Sequence, residues 1–259
     1  MPKDDAGPTV RLDGLPETTA LSAPVLAVGL GRGSSGKSTV LAEMIWRAQA
    51  QGRSPIVADG DARSKTLSHL FADATAPLSE EIADIKLWLT GLLNRAVKDQ
   101  RSVVLDLGGG DRTLLEYGRD LRLVEFCDRR GIAPLGVYVL GPEAEDLSHI
   151  VSIWDAGYFR PKRSLLLLNE GTIREGRTVA GAFERTMNDP GFVRMVEGGA
   201  VPILLHRLAA MDAAKGVRGG FYEAATGDGL DPVEAFMVEA WLADLETKRQ
   251  EAGALSWLP

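Results

Sequence analysis

The chain has 259 residues, 45% of them hydrophobic, which is enough for the core of one large α/β domain or two small ones. Its formal net charge of −7 excludes an extended basic surface, so bulk charge does not predict strong nonspecific DNA binding, although a local basic patch stays open. A single cysteine, Cys127, excludes an internal disulfide and reads as a small buried hydrophobe in a reducing cytoplasm, and no uncharged apolar run approaches transmembrane length.

The start, Met-Pro-Lys-Asp-Asp, lacks a signal-peptide pattern, so a soluble cytoplasmic protein is expected. Residues 1–23 are interrupted by Pro2, Gly7, Pro8, Gly14 and Pro16, which predicts a mobile arm ahead of a domain spanning 24–259. Residues 24–30 form an apolar run that reads as a buried strand, and residues 31–38 then read G-x-x-x-x-G-K-S. The glycines Gly31, Gly33 and Gly36 let a backbone curl around an anion, Lys37 supplies charge and Ser38 a hydroxyl ligand for magnesium. Val40, Leu41, Met44, Ile45 and Ala48 continue as a helical stripe ending at Gly52, so the loop opens a helix whose N-terminus favours phosphate.

Further along, 54–58 is a second strand leading into Asp59-Gly60-Asp61, and Ile82, Ile85, Leu87, Leu89, Leu92 and Leu93 recur at roughly helical spacing, which predicts a helix with a wide apolar face. Residues 102–107 are a third strand in which Asp106 takes the place of a Walker B aspartate. Gly108 and Gly109 follow, able to turn backbone N–H groups toward a γ-phosphate. Strands are expected at 135–140, 164–169 and 200–205, with helices at about 143–155, 179–187, 208–215 and 232–251. Apolar strands alternating with helices specify an α/β fold, a mostly parallel twisted sheet with helices on both faces.

His69, His149 and His206 lack ligand spacing, so no zinc site is expected. Arg160, Lys162 and Arg163, like Arg129 and Arg130, read as solvated charge. The tail at 254–259 reads as docked or partner-binding and not as a membrane anchor, because the residues before it form no basic face.

Over residues 24–225 the sequence resembles the ParA/MinD family of P-loop ATPases. The residues that carry the resemblance are Arg32-Gly33-Ser34-Ser35-Gly36-Lys37-Ser38, Asp59-Gly60-Asp61, Leu105-Asp106-Leu107-Gly108, Leu168-Asn169 and Val201-Pro202. The resemblance implies an ATP- and Mg2+-dependent switch that dimerises on ATP, answers to a protein partner that stimulates hydrolysis, and positions a cargo such as plasmid DNA or a transfer complex. It implies that residues 31–39, from Gly31 through Ser34, Ser35 and Lys37 to Thr39, cradle the phosphates together with Gly108. Ser38 and Asp106 would serve magnesium, with Asp59 supporting the metal shell, and Asp61 would orient the attacking water. Asn169 and the Pro202 backbone would contact the base.

Two departures stand out. Arg32 occupies the place of the family's signature lysine, which implies an arginine acting across the dimer. A glycine-rich Leu107-Gly108-Gly109-Gly110-Asp111 replaces the family's second switch. A nucleotide-dependent adaptor with little turnover is therefore an alternative; a small-molecule kinase is another, weakened by the absence of an Arg-rich lid.

Overall fold

The computed structural model describes residues 23–259 apart from 62–63, 108–110, 158 and 175–177. The expected N-terminal arm, but for Ala23, and the Gly108, Gly109 and Gly110 of the expected phosphate site and switch lie outside the described residues.

In chain order the elements are β1 (Val25–Leu30), α1 (Lys37–Ala50), β2 (Ile56–Asp59), α2 (Thr66–Leu70), α3 (Ile82–Asp99), β3 (Val103–Asp106), α4 (Asp111–Leu121), α5 (Leu123–Arg129), β4 (Ala133–Leu140) and α6 (Ala144–Ala156). They continue with β5 (Arg163–Asn169), α7 (Val179–Ala182), α8 (Glu184–Met187), α9 (Pro190–Glu197), β6 (Ala200–Leu205), α10 (Met211–Gly216), α11 (Gly220–Thr226) and α12 (Pro232–Glu251). All six expected strands are present. The helix expected at 179–187 is two single turns broken at Phe183, and the one expected from 208 starts at Met211. Helices α2, α4, α5, α9 and α11 were not predicted by the apolar pattern.

The strands form one sheet in the order β2-β3-β1-β4-β5-β6, and every pairing is parallel. Successive side chains of each strand enter opposite layers. Val25 and Ala27 of β1 join a core with α1, α2, α11 and α12, whereas Leu26, Val28 and Leu30 join a second core with α3, α5, α6 and α9. The two-sided burial explains why the strands read as unbroken apolar runs. From β1 the chain steps to the β2 edge and returns through β3; from β4 it winds the other way. The strand order therefore reverses beside β1, where a crevice opens at the carboxyl ends of the strands.

Helix α12 begins sharply because Asp231 accepts from the N–H groups of Val233 and Glu234, both at 2.9 Å, with Pro232 in the first turn. Ala254 and Leu258 beyond it are fully buried in the first core, so the tail is docked. No helix among the described residues is long and apolar enough to cross a membrane.

Candidate functional site

The loop between β1 and α1 is shaped by two glycines for different reasons. Gly31 has φ +143°, and a Cβ there would lie 2.4 Å from the Val139 carbonyl oxygen; Gly36 has φ +97°, and its Cβ would lie 2.3 Å from Asn169 Nδ2. At Gly31 the obstacle is backbone, at Gly36 it is the end of one side chain, and both lie at a φ that favours glycine. Gly33, by contrast, would meet nothing within 4 Å. Ser34, at φ +64°, adopts a left-handed conformation that few non-glycine residues take.

Gly36 caps α1 and offers its first amides no side-chain acceptor, which is the arrangement an anion completes. Lys37, 6% exposed, folds back so that Nζ donates to the Arg32 carbonyl at 2.9 Å, bridging the loop's two ends. At the next residue, Ser38 Oγ donates to Asp106 Oδ2 at 2.5 Å. Asp106, at the end of β3, is 1% exposed. The hydroxyl and the carboxylate expected to serve magnesium are thus in direct contact.

The register of the sheet brings the two strand-end aspartates side by side, with Asp59 opposite Asp106 and Gly29 opposite Asp106 on the other flank. Asp59 is 2% exposed, and its oxygens accept from the amides of Asp61 at 3.2 Å and Ser68 at 2.7 Å. It shapes the loop that carries Asp61. Asp61 accepts from Ser64 N at 3.2 Å and from Ser64 Oγ at 2.5 Å, and it lines the cleft. The Gly60 amide donates to the Asp106 carbonyl at 2.6 Å, fastening this loop to β3.

Asn169, at the end of β5, donates from Nδ2 to the Ser35 carbonyl at 2.8 Å and accepts at Oδ1 from the Gly171 amide at 2.9 Å. It braces the phosphate loop from across the cleft. Arg32 projects beside the loop, 47% exposed at its side chain, with Nη1 3.4 Å from Asp146 Oδ1 of α6. Pro202 corrects an expectation: it sits in the middle of β6 opposite Leu166 and is exposed, whereas the cleft wall begins three residues later at Leu205. The strand runs on past the proline, which an edge position tolerates.

Together these elements enclose a cleft of about 690 Å³, within the range of small-molecule sites. One end is Gly33, Ser34, Gly36, Lys37, Ser38 and Thr39. The other is Leu205, His206, Arg207, Leu208, Asp212 and Lys215, with Asn169 and Thr172 between. Burial lowers the pKa of the Lys215 ammonium against the opposing influence of Asp212. Residues 206–215 were legible in the sequence only as a segment; no spacing marked His206, Asp212 or Lys215 as cleft residues.

The donor set fits a magnesium–polyphosphate. A glycine cradle that a Cβ would fill, uncapped helix amides, a buried lysine and a hydroxyl–carboxylate pair of hard oxygens converge at one end. Among the described residues no three acidic, histidine or cysteine side chains cluster closely enough to hold a metal alone. Magnesium here would therefore need phosphate oxygens as well as protein ones.

No protein-family model matches the chain, and no curated protein matches it. Among solved structures it is similar to chloroplast FtsY from Physcomitrella patens, at 18% identity over 62% of this chain and 54% of that one, with a TM-score of 0.43. It is similar to FtsY from Thermotoga maritima at 17% identity, over 62% and 57% of the two chains, with a TM-score of 0.37. It is also similar to the signal recognition particle receptor FtsY from Elizabethkingia anophelis at 12% identity, over 88% and 68%, with a TM-score of 0.43. The chain spans about half the length of the first two, 54% and 57%. At this level of likeness no family is identified for it.

Proposed function

We propose that the chain is a nucleoside-triphosphate switch that binds Mg–ATP and hydrolyses it slowly, in the manner of the ParA/MinD proteins it resembles. The single observation that carries this reading is the convergence of the Gly31–Gly36 cradle, Lys37 and the Ser38–Asp106 pair at one end of the cleft. Lys37 has only to exchange the Arg32 carbonyl for phosphate oxygens. The amides opening α1 hold negative charge, and Ser38 and Asp106 would hold magnesium, which when bound neutralises charge developing on the phosphates. Asp61 would orient the attacking water, with Asp59 setting the loop on which it stands. Loss of the γ-phosphate would relax the loops after Asp61 and Asp106 and so change partner affinity.

The same reading includes an ATP-dependent homodimer through the face bearing Arg32, an activating protein partner, and a role in plasmid partition, conjugative transfer or cargo positioning. The adaptor alternative is favoured by one observation: the Arg32 guanidinium is engaged by Asp146 of its own chain. Calorimetry with Mg–ATP and Mg–GTP tests binding and selects the base; micromolar binding of ATP is expected, and no binding of either would overturn the reading. Phosphate release at background separates adaptor from ATPase. A mass measurement in solution with ADP and with a slowly hydrolysed ATP analogue tests the dimer, and a monomer in both removes it.

A further inference from the structure

Four charged side chains are buried between α1 and α12. Arg47 donates from Nε to Glu246 Oε2 at 2.9 Å and from Nη2 to Glu246 Oε1 at 2.5 Å, at side-chain exposures of 4% and 6%. Arg249 donates from Nη1 to Glu43 Oε1 at 2.8 Å and from Nη2 to Glu43 Oε2, at side-chain exposures of 1% and 1%. Tyr222 of α11 donates its hydroxyl to Glu43 at 3.1 Å; burial first, and then the Glu43 carboxylate, hold that hydroxyl well above its ordinary pKa, so it remains a donor.

Two fully desolvated ion pairs are a poor source of stability, since well-packed apolar residues do as well or better, and their best-attested use is to specify register. The order of charge here suits that use. Along α1 the sequence is acid then base, Glu43 and Arg47; the partners run in the opposite sense along α12, Arg249 and Glu246. A slip of one turn along α12 would set Glu43 against Glu246 and strand Arg249 and Arg47 without partners.

The register so locked matters to the cleft. Helix α1 carries Lys37 and Ser38 at its first turn. Helix α12, by a neighbouring stripe, grips the opposite wall: Trp241 Nε1 donates to the His206 carbonyl at 2.8 Å, and Lys248 Nζ donates to the Leu204 carbonyl at 2.9 Å. One helix thus ties the phosphate end to the β6 end.

We propose that Glu43, Arg47, Glu246 and Arg249 are positioning residues whose alternating charges fix α1 against α12 and thereby set the distance between the two ends of the nucleotide cleft. The inference rests on the nucleotide-binding reading given above. The paired variant R47E/E246R keeps two opposite-charge pairs but leaves α1 all acidic and α12 all basic, so a one-turn slip again meets opposite charges. The fourfold variant E43R/R47E/E246R/R249E restores the alternation.

Melting temperature and calorimetric affinity for the magnesium salt of a slowly hydrolysed ATP analogue are read on the full chain. The paired variant is expected to remain folded and to bind about tenfold more weakly, with the fourfold variant recovering affinity. Equal affinity in the paired variant, or no recovery in the fourfold one, would overturn the inference. Should either fail to fold, R47M/E246M decides: melting unchanged or raised with about tenfold weaker binding supports it, and lowered melting with unchanged binding overturns it. An unaltered chain that binds neither the ATP nor the GTP analogue overturns the nucleotide reading and this inference with it, whereas normal binding in the paired variant overturns this inference alone.

Discussion

The phosphate end of the cleft is built on one run of chain, residues 31–39, joined by Asp106 from the end of β3, whereas the opposite end is assembled from the ends of β5 and β6 and from α10, which come together only when the sheet is complete. The first is a matter of backbone conformation: left-handed turns, close approach, uncapped amides. The second is a matter of packing across long stretches of sequence, and its polar residues are ordinary in kind. A site of this construction keeps its chemistry in the local part and its shape in the assembled part. Substitutions at the two ends should therefore differ in what they disturb.

The largest expected effect is at Lys37. Lys37→Ala removes a buried cation from the phosphate end, and nucleotide affinity should fall by at least about a hundredfold. Stability should change little, by about 1 kcal/mol for the lost bond to the Arg32 carbonyl, which is about 2–4 °C in a chain of this size. Retained micromolar affinity by calorimetry would break the distinction between the ends.

Next comes a comparison of two glycines of one motif. Gly36→Ala places a Cβ 2.3 Å from Asn169 Nδ2 at a φ of +97°, so it should cost about 1–3 kcal/mol of stability and weaken nucleotide binding by disturbing the brace. Gly33→Ala meets nothing within 4 Å and should be neutral to within about 0.5 kcal/mol. Equal destabilisation of the two in thermal melts would show that the loop's curvature does not depend on these contacts.

Lys215→Met tests the assembled end, where an effect of about threefold on nucleotide affinity is expected, the size of a partly exposed charge contact. Its sign with pH follows from protonation. Burial lowers the Lys215 pKa, so its positive charge is lost earlier on the alkaline side than an exposed lysine's, and affinity for a polyanion should decline as pH rises through that range. In Lys215→Met that part of the decline should vanish. A slope unchanged by the substitution in calorimetric titrations would remove Lys215 from the ligand's surroundings.

The same division explains what the sequence disclosed. Each strand is a short apolar run bounded by polar residues or glycine, so all six were legible, and so was the phosphate loop, whose residues are adjacent in sequence. Helices α5 and α9 bury too few side chains to show a stripe: Leu123 and Cys127 in one, Phe192 and Met195 in the other. The Asn169 brace joins residues 134 apart, and Arg47 and Glu246 are 199 apart. Charged residues are seldom buried unpaired, and the sequence does not mark which partners cover Glu246 and Arg249, so their burial was not legible. Asn169 was found through the family resemblance, which offered a contact with the base; its hydrogen bonds in this structure hold the loop.

The smallest expected effect concerns Pro202, which the resemblance placed at the base. In the middle of an edge strand, opposite Leu166 and exposed, it is separated from the cleft wall by Ile203 and Leu204. Pro202→Ala adds a backbone N–H on the outermost strand and removes a ring that faces solvent, so stability should move by no more than about 0.5 kcal/mol and nucleotide affinity by less than about twofold. A loss of affinity without a change in melting temperature would mean that the ligand reaches past Leu205 along β6, and the assembled end of the cleft would then be deeper than its walls at Leu205 and His206 indicate.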